Sequence, residues 1–122
     1  MLDHVGIQVA DVPKAAAFYD KVLPVLGFGR VMDFGEAIGY GPPGKPDFWI
    51  GKADRENLNH ESHIAFVAES NEKVDEWFAA AKEAGAEVLH EPRLWPEYHP
   101  GYYGAFVRDP DGNNVEAVHH TF

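Results

Sequence analysis

Apolar and polar residues alternate at the start of the chain. Across residues 2–10, Val5, Ile7 and Val9 fall on one side and His4, Gly6 and Gln8 on the other, the period of a half-buried strand. The period then becomes helical. Ala15, Phe18, Val22 and Leu26 form one stripe, opened by Asp11 as a cap and Pro13 as an early-turn proline. Pro24 predicts an end to the regular helix near Leu23, because proline has no donor and disfavours helical geometry in its predecessor. Short strands are expected over residues 28–34, 37–40 and 48–52, with the Pro- and Gly-rich stretch 41–46 as a turn or loop.

The same order then returns. Ser62-His63-Ile64-Ala65-Phe66-Val67 repeats the opening strand with a histidine in second place, and Ser70 caps a second helix with Glu72 in its first turn. Its stripe is Val74, Trp77, Phe78, Ala81 and Ala84, and Gly85 is a natural stop. Phe18-Tyr19 in the first helix matches Trp77-Phe78 in the second at the same offset. Strands over 87–90, 103–108 and 114–119 close the second copy, the last two joined through a tight turn, Asp109-Pro110-Asp111-Gly112-Asn113. Residues 91–101, with three prolines, are expected to form a long ordered loop. The pattern is β-α-β-β-β twice over, one α+β domain spanning residues 1–122, with repeat one at about 1–55 and repeat two at about 60–122. The expected fold pairs the two units into a curled mixed sheet around a central cavity, with the helices outside.

Composition narrows the functional classes. A chain of 122 residues, 45% hydrophobic, is long enough for a real core. A formal charge of −10 argues against nucleic acid and anionic membranes as partners, and favours cations. With no cysteine, disulfides, thiolate zinc sites and cysteine nucleophiles are excluded. No apolar run approaches the about 20 residues of a membrane span, and no charged and apolar leader precedes the first strand, so a cytoplasmic protein is the expectation.

Strand alternation also sorts the chemistry. His4 lies opposite the Val5/Ile7/Val9 face, His63 opposite Ile64 and Phe66, and Glu116 opposite Val115 and Ala117. Two histidines and one carboxylate therefore share the face of their sheets that does not cover a helix. Such a set, with open positions, suits one divalent ion such as Fe, Mn, Ni or Zn.

The segments 3–28, 62–87 and 103–118, with the 109–113 turn followed by Glu116, resemble the vicinal oxygen chelate superfamily. That group includes glyoxalase I, the type I extradiol dioxygenases and the bleomycin-resistance proteins. The resemblance implies metal ligands at His4, His63 and Glu116, a small-molecule substrate bound through adjacent oxygens, and a homodimer. It implies either a metal-dependent enzyme, with Lewis-acid chemistry or O₂ chemistry on iron, or a non-catalytic module that sequesters a small molecule. The His/His/Glu set favours the enzyme. Aligning the repeats puts Trp49 opposite Glu116, where glyoxalase I carries a fourth, carboxylate ligand, which argues against that activity. Phe106 stands where extradiol dioxygenases carry a tyrosine.

The stretch His99-Pro100-Gly101-Tyr102-Tyr103-Gly104-Ala105-Phe106 resembles a subgroup of small glyoxalase-like proteins of unassigned activity. His99 and Tyr103 are the catalytic candidates, as an acid/base and a hydroxyl at the site. Trp49, Gln8 and Phe106 are the candidates for the substrate pocket.

Overall fold

The computed structural model describes residues 2–53 and 61–122; the expected repeat boundaries, at about 55 and 60, fall at or just inside the undescribed stretch. The first unit runs β1 (Val5–Val9), α1 (Val12–Val22), a 3-10 turn (Pro24–Leu26), β2 (Gly29–Asp33), β3 (Ala37–Gly41) and β4 (Phe48–Lys52). The second runs β5 (His63–Val67), α2 (Asn71–Glu83), β6 (Glu87–Leu94), β7 (Tyr102–Arg108) and β8 (Asn114–His120). The caps act as their chemistry dictates. The Asp11 side chain accepts from the Lys14 amide at 3.0 Å, and the Ser70 hydroxyl from the Lys73 amide at 3.1 Å. Pro24 ends the α1 ladder and opens the 3-10 turn, which closes on Gly27 at φ 90°, a left-handed position that suits a residue without Cβ.

Each unit folds into one four-stranded mixed sheet, in the order β1-β4-β3-β2 and β5-β8-β7-β6. The first strand of each unit lies parallel to its last, and the other pairings are antiparallel. The two units match in register as well as in order. Trp49 lies opposite Gly6, two residues beyond His4, and Glu116 lies opposite Ala65, two residues beyond His63. Trp49 is therefore the first unit's counterpart of Glu116.

The expectation of two βαβββ units is met, in two separate sheets rather than a closed barrel among the described residues. α1 and α2 pack against each other as well as on their own sheets. Both helical stripes and the inner face of both sheets thus share one core, including Val9, Phe18, Tyr19, Val22, Trp77 and Val115. On the opposite faces the first strand of each unit is open to solvent, with Gly6, Gln8, Ala65 and Val67 exposed, whereas Gly104, Phe106, Glu116 and Val118 on β7 and β8 are buried. Among the described residues no helix is long and apolar enough to cross a membrane.

Two boundaries differ from the sequence expectation. β6 runs on to Leu94 rather than ending at His90, and its register with β7 slips between Val88 and His90 and again between His90 and Arg93. It is an edge strand carrying Pro92, and such bulges let an edge strand accommodate a residue that cannot donate to the ladder. Its side chains are mostly exposed, so no apolar alternation marks it in the sequence. The 91–101 loop is correspondingly shorter, and it closes where the Trp95 amide donates to the Tyr102 carbonyl at 2.8 Å.

The turn after β7 joins the two units. Asp109, 5% exposed, accepts from the amides of Asp111 and Asn113 at 2.9 and 2.8 Å, and from Asn113 Nδ2 at 2.9 Å. It also accepts from the hydroxyl of the fully buried Tyr19, on α1, at 2.6 Å. Asp111 in turn accepts from the Ala10 amide at 3.0 Å. A motif read from the sequence as a hairpin turn is also the joint that ties α1 and the end of β1 to the second sheet.

Candidate functional site

Glu116 is the feature that requires explanation. It is 1% exposed on the sheet face turned away from the helices, which is open to solvent at Ala65 and Val67 on β5. A buried carboxylate is costly unless it is paired and hydrogen-bonded. His63 Nε2 faces its Oε1 at 2.8 Å, and the Tyr102 hydroxyl donates to its Oε2. Phe106, directly across from it on β7 and 5% exposed, covers it on one side. The cover continues outward through Trp95, whose ring lies 5.1 Å from that of Phe106, and Tyr98, stacked on Trp95 at 5.7 Å. Trp95 is pinned by donation from its indole N–H to the Gly104 carbonyl at 2.9 Å, with the Arg93 guanidinium 3.5 Å above its ring.

The donor set fits a divalent ion in chemistry and spacing. Two donors each about 2.1 Å from one ion sit about 3.0 Å apart when adjacent in an octahedral shell. The 2.8 Å between His63 Nε2 and Glu116 Oε1 is close to that separation. Two donors do not make a site, and the chain does not bring the third to them. Among the described residues no group of three or more His, Asp or Glu side chains is placed to hold a metal. His4 lies just ahead of β1, its side chain 58% exposed, with Nδ1 2.8 Å from Asp3 Oδ1. A carboxylate on Nδ1 leaves Nε2 as the nitrogen turned toward a ligand, the arrangement that commonly supports a metal-binding histidine.

The other expected site residues divide by face. Trp49 and Gln8 lie on the face of the first sheet that turns away from the helices, as the alternation requires. Trp49 lies flat across Gly39, where an added methyl would come within 2.9 Å of the ring, and Phe34, 71% exposed, stacks on it at 6.2 Å. Tyr103 is a correction. Its side chain points to the helix face, packs against the core and donates to Asp75 on α2 at 2.7 Å, a hydrogen bond that raises its hydroxyl to a pKa of about 12. The tyrosine that reaches Glu116 is its neighbour, Tyr102, whose hydroxyl is held protonated by burial and by that hydrogen bond.

His99 does not reach Glu116 directly. Its Nε2 is 2.9 Å from His120 Nδ1, its Nδ1 accepts from the Gly101 amide at 3.1 Å, and its ring meets that of Tyr102 edge-on at 5.7 Å. The signal for Tyr102 was present in the sequence. Counting outward from Arg108 opposite Asn114 pairs Phe106 with Glu116 and Tyr102 with His120, which puts Tyr102, not Tyr103, on the Glu116 face. The count depends on which residues close the 109–113 turn, and an error of one inverts every assignment.

A concavity of 670 Å³ lies on the helix side of the molecule and is lined by residues that include Lys14, Lys21, Glu83 and Arg108. Its cations Lys21 and Arg108 are already paired, with Glu83 and Glu61 at 2.9 and 2.6 Å.

Two βαβββ units in matched register, with a buried glutamate on the last strand facing a histidine on the first strand of the second unit, define a glyoxalase-like class of protein. The chain belongs to the glyoxalase/bleomycin resistance protein/dioxygenase superfamily, whose family model matches residues 1–117. It is similar to a glyoxalase/bleomycin resistance protein from Albidiferax ferrireducens, at 30% identity and a TM-score of 0.86, over 98% of this chain and 99% of that one. It is similar also to a lactoylglutathione lyase from Agrobacterium tumefaciens, at 25% identity and a TM-score of 0.71, over 98% and 92% of the two chains. An uncharacterized protein of Bacillus subtilis, YqjT, is 28% identical, over 96% of this chain and 97% of its own.

Proposed function

We propose that this protein is a metal-dependent enzyme of the glyoxalase/dioxygenase type, acting on a small substrate that chelates through adjacent oxygens. The observation that carries the reading is Glu116: a carboxylate 1% exposed, with a ring nitrogen of His63 2.8 Å from one oxygen and the Tyr102 hydroxyl donating to the other. His63 and Glu116 are two of three protein ligands for one Fe, Mn, Ni or Zn ion, and His4 is the third. Since one chain does not bring His4 to the pair, His4 of a second copy completes the set in a homodimer. Support for that comes from the outward sheet faces and the strands that border them, which carry large exposed apolar side chains: Met32 at 43%, Phe34 at 71%, Val67 at 64% and Leu94 at 51%.

A bound divalent ion supplies Lewis acidity toward the substrate oxygens. The chain's own side chains do the rest. Phe106 and Tyr102 from one sheet, and Trp49 and Gln8 from the facing sheet of the other copy, surround the substrate and exclude water. The acidic chain has no basic footprint for nucleic acid, and a cytoplasmic location completes the reading.

The test is metal content. Protein purified without chelators, stripped and titrated, should take up one divalent ion per chain, and Glu116→Gln, which removes the only anionic ligand, should weaken uptake at least tenfold. Wild-type protein that takes up none of Mn, Fe, Ni or Zn refutes the reading and leaves a small-molecule binding protein in its place.

A further inference from the structure

The Glu116 carboxylate is held from two directions, and only the His63 side is accounted for by a ligand set. The partner on the other side comes from far along the strand. Tyr102 pairs across with His120, Gly104 with Val118, and Phe106 with Glu116. The four-residue offset between the Tyr102 and Phe106 positions is about 13 Å of strand. It is closed from both ends, the phenol reaching forward along β7 and the carboxylate reaching back from β8. They meet over Gly104, where an added Cβ would lie 3.2 Å from Glu116 Oε2 and 3.2 Å from a ring carbon of Tyr102. Both distances are tighter than ordinary contact, so the missing side chain at residue 104 makes room for the pair. Three rings then fix the phenol: Tyr98 at 4.9 Å, His120 at 5.0 Å and His99 at 5.7 Å, all close to edge-on.

We propose that Tyr102 is the positioning residue of the metal site: its hydroxyl occupies Glu116 Oε2, so that Oε1, the oxygen facing His63, is the single one offered to a divalent ion. This rests on the metal-site reading above. A carboxylate with one oxygen engaged binds through the other alone. That geometry suits small transition ions, whereas Ca²⁺ favours carboxylates that can close on it with both oxygens at about 2.3–2.6 Å. His99, with Tyr98 and His120, then serves to hold the Tyr102 ring rather than to touch substrate.

The experiment is Co²⁺ titration followed by visible absorption, with competing Ca²⁺, on the wild-type protein, Tyr102→Phe, Gly104→Ala and Tyr103→Phe. Loss of the hydroxyl should raise the Co²⁺ Kd about 10- to 100-fold. It should also shift the cobalt bands and narrow the preference for Co²⁺ over Ca²⁺, since the freed oxygen can now join the ion. Tyr103→Phe removes the neighbouring hydroxyl on the helix face and should change none of these. Gly104→Ala keeps both groups but crowds their meeting point, and should weaken Co²⁺ binding as well; it carries the test if Tyr102→Phe does not fold. A folded Tyr102→Phe, or in its absence Gly104→Ala, with Kd within twofold of wild type and unchanged bands overturns the inference while leaving the metal site standing. A lowered melting temperature with unchanged Kd does the same, since it reduces Tyr102 to a structural role. Wild-type protein that binds no Co²⁺ overturns the metal-site reading and the inference together.

Discussion

Replacing Asp109 by alanine should destabilise the protein more than any single change at the candidate site, because it unmakes the joint between the two units. The substitution strands three buried donors: the Tyr19 hydroxyl, the Asn113 amide and Asn113 Nδ2. Tyr19 and Asn113 are 0% exposed, so water does not readily replace the lost acceptor. An orphaned buried donor costs about 1–3 kcal/mol, and with some local relaxation the three together amount to about 4 kcal/mol. Against a total stability of about 5–15 kcal/mol, that is a large fraction.

Tyr19→Phe is the milder counterpart. It removes one donor and leaves Asp109 Oδ2 bonded to Asn113 Nδ2, so its cost is about 2 kcal/mol, the usual worth of a hydrogen bond to a charged group. Both are measured by urea unfolding at a fixed protein concentration, with the fluorescence of the buried Trp77 on α2 as the probe. The double variant should cost no more than Asp109→Ala alone, as the two groups share one interaction. A cost for Asp109→Ala below about 1 kcal/mol, or fully additive single changes, refutes the claim that this turn joins the units.

The same tyrosine predicts a pH dependence. Burial, followed by the nearby Asp109 carboxylate, raises its hydroxyl well above the ordinary value, so stability should be whole below about pH 10 and fall as pH climbs toward the folded-state pKa. The alkaline slope should be shallower in Tyr19→Phe, though not flat, because Tyr40 and Tyr102 are raised too. Trp49→Glu places a carboxylate at the first unit's counterpart of Glu116, and metal titration should show tighter binding; weaker or equal binding counts against the equivalence of the two positions. Light scattering at micromolar concentration should give about twice the chain mass, and a clean monomer there removes the second source of His4. Metal titration of His119→Ala, which removes a ring facing Asn71 on α2 at 3.0 Å, should show unchanged affinity.

The fold was legible because the helical stripes and strand alternations are strong and occur twice. Val5, Ile7 and Val9, and Val74, Trp77 and Ala81, each report one buried face. The faces of His63, Glu116 and Trp49 followed from the same alternation, while His4 lies just ahead of β1. Two kinds of information were out of reach. The first was the Tyr102/Tyr103 choice, which hangs on a one-residue register count across a turn. The second was the way the units pack. Alternation says which side of a sheet is wet or dry, but not that α1 and α2 pack against each other and leave His4 apart from Glu116. Edge strand β6 was underestimated for a related reason: without a buried face it leaves no periodic trace.

The Asp109–Asn113 turn makes the most recognisable stretch of the chain a matter of carpentry rather than chemistry. It spaces β7 and β8, which carry Tyr102 and Glu116, and through Tyr19 and Ala10 it also fastens the first half of the molecule to the second. A descendant that abandoned Glu116 for another purpose would still need Asp109 to stand up. The face that holds Glu116 can therefore be altered without touching the hydrogen bonds that fasten the two halves together.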